Sequence, residues 1–219
     1  MKKYPNADRQ LFGEKMNTDS DVRRKVAKEA ATVLYFGAAK DYKQAKLKAA
    51  KTLGSNFLPS NSEVALELDK IADMLEGPAR KERLVRMRKE ALQIMAILKE
   101  YCPVLIGSVW RGNIRQGSDI DIAVYHDTPD DIVHTLKEKG FKISKTERMT
   151  ETKAGTPETS FHIYVETKSK QTAELVVRNA EEAKSKRKCE IFGDEIRGLK
   201  VEELERLLYE NPTEKFMPT

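Results

Sequence analysis

A chain of 219 residues can form one large domain or two modest ones. Charged residues make up 34% of it, above the usual quarter, and the net charge of +5 with a pI near 9.0 suits a polyanionic partner without identifying one. The two cysteines, Cys102 and Cys189, have neither metal spacing nor the pattern of a disulfide framework. No apolar run approaches the ~18 residues of a membrane span, and no stretch resembles a signal peptide, so the expected location is cytoplasmic, away from membranes.

Residues 1–18, with Pro5, Gly13 and little periodicity, read as a loosely held arm. From Asp21 to Leu53 the spacing is helical. Val22, Val26, Ala30, Val33 and Leu34 form an apolar stripe, Gly37 is a candidate break, and Leu47, Ala50 and Leu53 resume the stripe. Ser60-Asn61-Ser62-Glu63 has the form of a capping box before a helix with Val64, Leu68, Ile71 and Leu75 inward. Gly77-Pro78 closes that helix and starts a longer one to about Tyr101, whose buried face is Leu84, Met87, Ala91, Ile94, Met95 and Leu98. Residues 1–101 are therefore expected to be an all-α region without recognisable chemistry of its own, suited to docking a protein partner or a second copy of the chain.

From Pro103 the period changes. Residues 104–107 and 119–125 read as strands flanking a short helix that starts at Ser108. Pro129 opens a helix through Lys139, stopped by Gly140. Phe141–Glu151, Thr159–Thr167 and Thr172–Arg178 read as further strands, and 191–196 as a hairpin before an amphipathic helix at Val201–Tyr209. The expected fold class is α+β: a helical bundle over 1–101, then over 102–219 an α/β domain whose mixed sheet is mostly antiparallel after the strand at 119–125.

That strand carries the most informative residues. In a strand, successive side chains point to opposite faces, so Asp119 and Asp121 share one face while Ile120 and Ile122 share the other. Two adjacent carboxylates repel and are costly to shield from water unless a cation neutralises them. All-oxygen ligation suits Mg²⁺, with Mn²⁺ a workable substitute, and Mg²⁺ readily takes phosphate oxygens. Gly107-Ser108 supplies the complement, because glycine lets backbone approach a phosphate closely. Strand, Gly-Ser turn, short helix and Asp-x-Asp strand together read as a metal-triphosphate site.

The pattern Ile106-Gly107-Ser108, then Asp119-Ile120-Asp121-Ile122, resembles the signature of the DNA polymerase beta superfamily of nucleotidyltransferases. The closest local resemblance is to the catalytic domain of class I CCA-adding enzymes, whose version continues with an Arg-Gly pair, here Arg111-Gly112. Those enzymes also carry a His-Pro-Tyr-Val stretch before the strand with the third acid. This chain has His162-Ile163-Tyr164-Val165, then Ala173-Glu174-Leu175-Val176-Val177. The resemblance covers about residues 104–178. It implies catalysis and metal binding by Asp119, Asp121 and Glu174, with Gly107, Ser108, Arg111 and Ser118 as nucleotide-binding residues. Glu174 stands where that family has aspartate, and Glu166, on one strand face with His162 and Tyr164, is its rival. Only about 40 residues follow the strand of the third acid, too few for the tRNA-gripping body of CCA-adding enzymes.

Two basic clusters accompany the motif. Arg80–Lys89 holds six basic residues and one acid, and reads either as an RNA-backbone surface or as a solvated helix face. Residues 184–188 form a smaller cluster of the same kind. The resulting expectation is a metal-dependent transfer of a nucleoside monophosphate from a nucleoside triphosphate to a hydroxyl on RNA, protein or a small molecule, with pyrophosphate released. The alternative is a catalytically silent nucleotide- or RNA-binding module of the same fold.

Overall fold

A computed structural model describes residues 8–153 and 156–218, with the side chains of 8–18 and 151–158 left undescribed. The chain divides into two compact units, Met1–Leu75 with Glu190–Phe192, and Glu76–Cys189 with Gly193–Thr219.

The first unit is helical: α1 (Asp8–Tyr35), α2 (Tyr42–Thr52) and α3 (Asn61–Glu76, which ends on the first residue of the second unit). The arm expected over 1–18 lies outside the described residues as far as position 7, and from Asp8 the backbone is helical. Val26, Ala30 and Leu34 are buried with Ala45, Ala49, Val64 and Ile71. Leu47 and Leu53, expected in the stripe, are about half exposed instead. The face that α2 buries is its alanine row, Ala45, Ala49 and Ala50. Small side chains allow close helix approach, whereas the longer leucines project outward. The capping box forms as its sequence requires, with Ser60 N donating to Glu63 Oε2 (2.6 Å) and Glu63 N donating to Ser60 Oγ (3.2 Å).

The second unit begins with α4 (Pro78–Ile97), continues through β1 (Val104–Ile106), α5 (Gly107–Arg111), β2 (Ile120–Tyr125), α6 (Pro129–Glu138), β3 (Lys142–Lys153), β4 (Thr156–Glu166) and β5 (Thr172–Arg178), and closes with α7 (Val201–Glu210). The five strands form one sheet in the order β1-β2-β5-β4-β3. Only the β2–β5 pair is parallel; the other three pairs are antiparallel. At 191–196, where a hairpin was expected, the second unit shows a single bridge between Lys188 and Glu195.

The boundary expected between 101 and 102 falls instead between Leu75 and Glu76, because α4 belongs to the core beneath the sheet. Its Leu84, Met87, Ala91, Ile94, Met95 and Leu98 are buried together with Ile120, Ile122 and Val124 of β2, Leu175 and Val177 of β5, Ile163 and Val165 of β4, and Ile132 and Leu136 of α6. Each such aliphatic side chain contributes roughly 1.5–3 kcal/mol on burial. This apolar face anchors β2 and β5 firmly enough to hold acids on their other face. A long helix can read as part of a bundle from its period alone, since periodicity reports an apolar stripe and not what the stripe packs against.

Candidate active site

Register brings the acids together. In the parallel β2–β5 pair, Asp121 is opposite Glu174, so the two side chains leave the same face of the sheet on neighbouring strands. Asp119 precedes β2 by one residue and is exposed. Burial, then Glu174, then Asp119 push the Asp121 carboxyl up to about 7. Asp119 is raised too, first by partial desolvation of its carboxyl and then by Glu174. The charges acting on Asp121 are thus both acidic, and like charges disfavour ionisation of a third. Glu166, the rival acid, sits two residues along β4 from Tyr164, opposite Thr172. Lys170 (2.8 Å) and Lys142 (3.1 Å) donate to it and hold its carboxyl below the usual range. It is occupied by lysines, and Glu174 is the acid in register with Asp121.

Gly107 explains how Asp121 fits. β1 ends with Ile106 opposite Asp121, and the next residue turns at φ +67° into α5. A Cβ on Gly107 would lie 1.9 Å from Asp121 Oδ2. The carboxylate therefore occupies the place a side chain would take. From sequence the glycine reads as room for a phosphate; in the fold it is also room for the acid.

Glu174 is oriented by its neighbours on β4. His162 Nδ1 lies 2.6 Å and Tyr164 Oη 2.9 Å from its Oε1. His162 Nε2 is 2.8 Å from Ser160 Oγ, and the Tyr164 hydroxyl is also 2.7 Å from Glu147 Oε1. Burial and these two glutamates push the Tyr164 phenol upward. His162 and Tyr164 were visible in the sequence as part of the His162–Val165 stretch. Their contact with Glu174 was not, because it depends on the β4–β5 register that places Tyr164 opposite Glu174.

Arg111 and Ser118 have their side chains engaged within the fold. Arg111, read as a triphosphate contact, is 5% exposed; it donates to Asp194 Oδ1 (2.7 Å) and Phe216 O (3.0 Å) and stacks on Trp110, 4.5 Å from the ring centroid. Gly112, its companion in the motif, has φ +76° and sits where a Cβ would meet Glu214 O at 2.6 Å. The Arg-Gly pair thus serves to seat the C-terminal segment. Ser118 closes a turn, accepting from Arg115 N at 2.9 Å. Ser108 is half-buried at the start of α5, where its carbonyl accepts from Gly112 N (2.9 Å) and Asn113 N (3.2 Å).

The basic cluster at Arg80–Lys89 is likewise not a uniform wet surface. Arg80 is 2% exposed and donates to Ile114 O at 2.6 Å, while Arg83 pairs with Glu76. Arg88 is fully buried and donates to the carbonyls of Val109, Trp110, Pro212 and Glu214 at 2.8–3.1 Å. Burial pulls its guanidinium down to about 10, opposed by the Glu214 charge. The fork of an arginine matches several carbonyls at once, which is why a buried cation survives here. Lys81, Arg86 and Lys89 are the exposed remainder.

The donor set can be tested against a divalent cation. Asp119, Asp121 and Glu174 are hard oxygen donors whose charges oppose one another, and the Gly107 cradle admits the Asp121 carboxylate, so the chemistry fits Mg²⁺ or Mn²⁺. As placed, the acids share an electrostatic field without closing on one point: among the described residues no three His, Cys, Asp or Glu side chains are grouped to hold a metal ion. Also among those residues, no helix is long and apolar enough to cross a membrane.

Comparison with protein families matches residues 89–201 to a nucleotidyltransferase domain. Solved structures similar to the chain include a cytoplasmic RNA terminal U-transferase, at 18% identity over 54% of this chain and 35% of that one, with a TM-score of 0.33. Another is the Cid1 poly(U) polymerase with MgGTP bound, at 20% identity over 52% and 38%, with a TM-score of 0.30. The chain spans little more than a third of the length of either. Comparison with curated protein sequences gives no match.

Proposed function

This chain belongs to the nucleotidyltransferase domain family, and on that premise we propose that it moves a nucleoside monophosphate from a nucleoside triphosphate to a hydroxyl acceptor. The observation that carries the reading is the in-register pair Asp121 and Glu174, with burial and the charges of Glu174 and Asp119 all raising the Asp121 carboxyl. Asp119 and Asp121 would hold Mg²⁺ or Mn²⁺, with Glu174 completing the set. The cation, when bound, supplies neutralisation of the triphosphate and a lowered pKa for the acceptor hydroxyl.

The chain's own residues do the rest. Gly107 lets the Asp121 carboxylate lie against the backbone turn, and the Gly107-Ser108 amides are the groups we assign to the triphosphate held by the acids. The acceptor oxygen bonds to the α-phosphorus as the bond from that phosphorus to the bridging oxygen breaks. Pyrophosphate leaves and the hydroxyl proton passes to solvent. Arg111 and Ser118 act behind this site, by fixing the C-terminal segment and the turn before Asp119. The acceptor is a hydroxyl of RNA, protein or a small molecule; an RNA would meet Lys81, Arg86 and Lys89 rather than the whole cluster, and a protein acceptor would meet the helical region.

Incubation with Mg²⁺, each nucleoside triphosphate and candidate acceptors tests this, read as pyrophosphate release and as a nucleotidyl mass increase on the acceptor. Wild-type protein is expected to give both, and Asp121→Asn neither. Wild-type turnover by Asp121→Asn overturns the assignment. Triphosphate binding without pyrophosphate release from any acceptor makes the chain a silent binding module.

A further inference from the structure

Among the described residues, Glu174 is the one acid of the three whose carboxylate has side-chain hydrogen-bond partners, and they come from one neighbouring strand. His162, Tyr164 and Glu174 project from the same sheet face because β4 and β5 are antiparallel and in register, Tyr164 opposite Glu174 and His162 opposite Val176. Both hydrogen bonds fall on Oε1, so Oε2 takes neither. The His162 side chain is 12% exposed and that of Glu174 23%, which keeps bulk water from competing strongly for this contact.

A second layer fixes the first. His162 Nδ1 is 2.6 Å from the Glu174 carboxylate and Nε2 is 2.8 Å from the Ser160 hydroxyl, so both ring nitrogens are engaged. The Tyr164 hydroxyl has one proton and two glutamates in reach, Glu147 at 2.7 Å and Glu174 at 2.9 Å, while Lys145 pairs with Glu147 and lies 5.4 Å from the Tyr164 ring centroid. The rotamers of both donors are therefore held from behind. A ligand carboxylate held in this way keeps one oxygen pinned and presents the other, and loss of such supporting contacts commonly weakens metal affinity by ~10–100-fold.

We propose that His162 and Tyr164 are positioning residues that pin Glu174 Oε1 and so present Oε2 to the divalent cation of the nucleotidyl-transfer site. The inference rests on the reading of Asp119, Asp121 and Glu174 given above, and it assigns the His-x-Tyr pair a role that neither residue performs by touching substrate. It also accounts for glutamate at position 174. The longer side chain has one more torsion than aspartate, and two anchoring bonds on Oε1 remove that freedom.

The test is Mn²⁺ affinity without nucleotide, measured from the electron paramagnetic resonance signal of unbound Mn²⁺, so that turnover is not the readout. His162→Ala and Tyr164→Phe are each expected to weaken binding by about tenfold or more. His162→Asn, which retains a donor near the Nδ1 position, should recover most of the loss. In a Glu174→Gln background, His162→Ala should cost nothing further, since it acts through the carboxylate that is already gone. If His162→Ala does not fold, Tyr164→Phe and His162→Asn carry the same comparison. Wild-type affinity in folded His162→Ala or Tyr164→Phe, or an undiminished loss in the Glu174→Gln background, overturns the positioning role. Asp121→Asn separates the two levels: if it abolishes Mn²⁺ binding while His162→Ala and Tyr164→Phe bind Mn²⁺ as wild type does, only the positioning role fails. If Asp121→Asn binds Mn²⁺ as wild type does, the underlying site fails.

Discussion

The acids of the sheet and the arginines of α4 and α5 lie in one unit and receive opposite treatment. Arg80, Arg88 and Arg111 are buried, and each guanidinium is matched to backbone carbonyls or to Asp194. Asp121, half-buried, faces two further acids and is pushed toward its neutral form. Leaving a charge uncompensated is destabilising, and proteins accept that at sites that bind something else. The arginines are therefore read as structure and the acids as function, although both are clusters of charge in the sequence.

The largest expected effect breaks the structural half of that contrast. Arg88→Ala leaves the carbonyls of Val109, Trp110, Pro212 and Glu214 without their buried donor. It should cost roughly 3–5 kcal/mol in urea unfolding. Gly107→Ala attacks the functional half. The new methyl would displace the Asp121 carboxylate, so turnover should fall by about 100-fold while stability falls by only ~1–2 kcal/mol. A stability loss with unchanged turnover would show that the seat of Asp121 is immaterial.

Smaller effects sharpen the division. Arg111→Lys keeps the charge but loses the fork that spans Asp194 and Phe216, and should destabilise by about 1–2 kcal/mol. Nucleotide affinity measured by calorimetry should change less than about threefold, because the side chain is turned inward; a much larger loss would return Arg111 to the triphosphate. Arg86→Gln, on the exposed remainder of the cluster, should stay within ~0.5 kcal/mol of wild type in the same unfolding assay.

Much of this arrangement was legible in the sequence. Alternation put Ile120 and Ile122 in the core and Asp121 on the opposite face, and Thr172–Arg178 was delimited as the strand it forms. Ser60-Asn61-Ser62-Glu63 announced its own reciprocal cap. Local patterns are readable because they depend on neighbours in the chain. Contacts between distant segments are not. The pairing of Glu174 with Asp121 needs the crossover of β5 beside β2, and the capture of Arg88 and Arg111 by residues 212–216 joins positions more than 100 apart in sequence. A run of arginines looks the same whether it faces RNA or carbonyls. Only the fold tells Arg88 from Arg86.

The central claim is that Asp121 sits uncompensated among acids until a cation arrives, and a melting series against pH tests it directly. With the folded carboxyl raised from 3.8 to about 7, the native state holds a proton that the unfolded chain has released between those values. Stability must then fall as pH rises through that window. In chelator-treated buffer, wild-type Tm should drop between about pH 4.5 and pH 7.5, and the Asp121→Asn curve should be flatter and lie ~2–4 °C above it at pH 7.5. Parallel curves across the window, or an Asp121→Asn protein less stable than wild type at pH 7.5, would contradict the account.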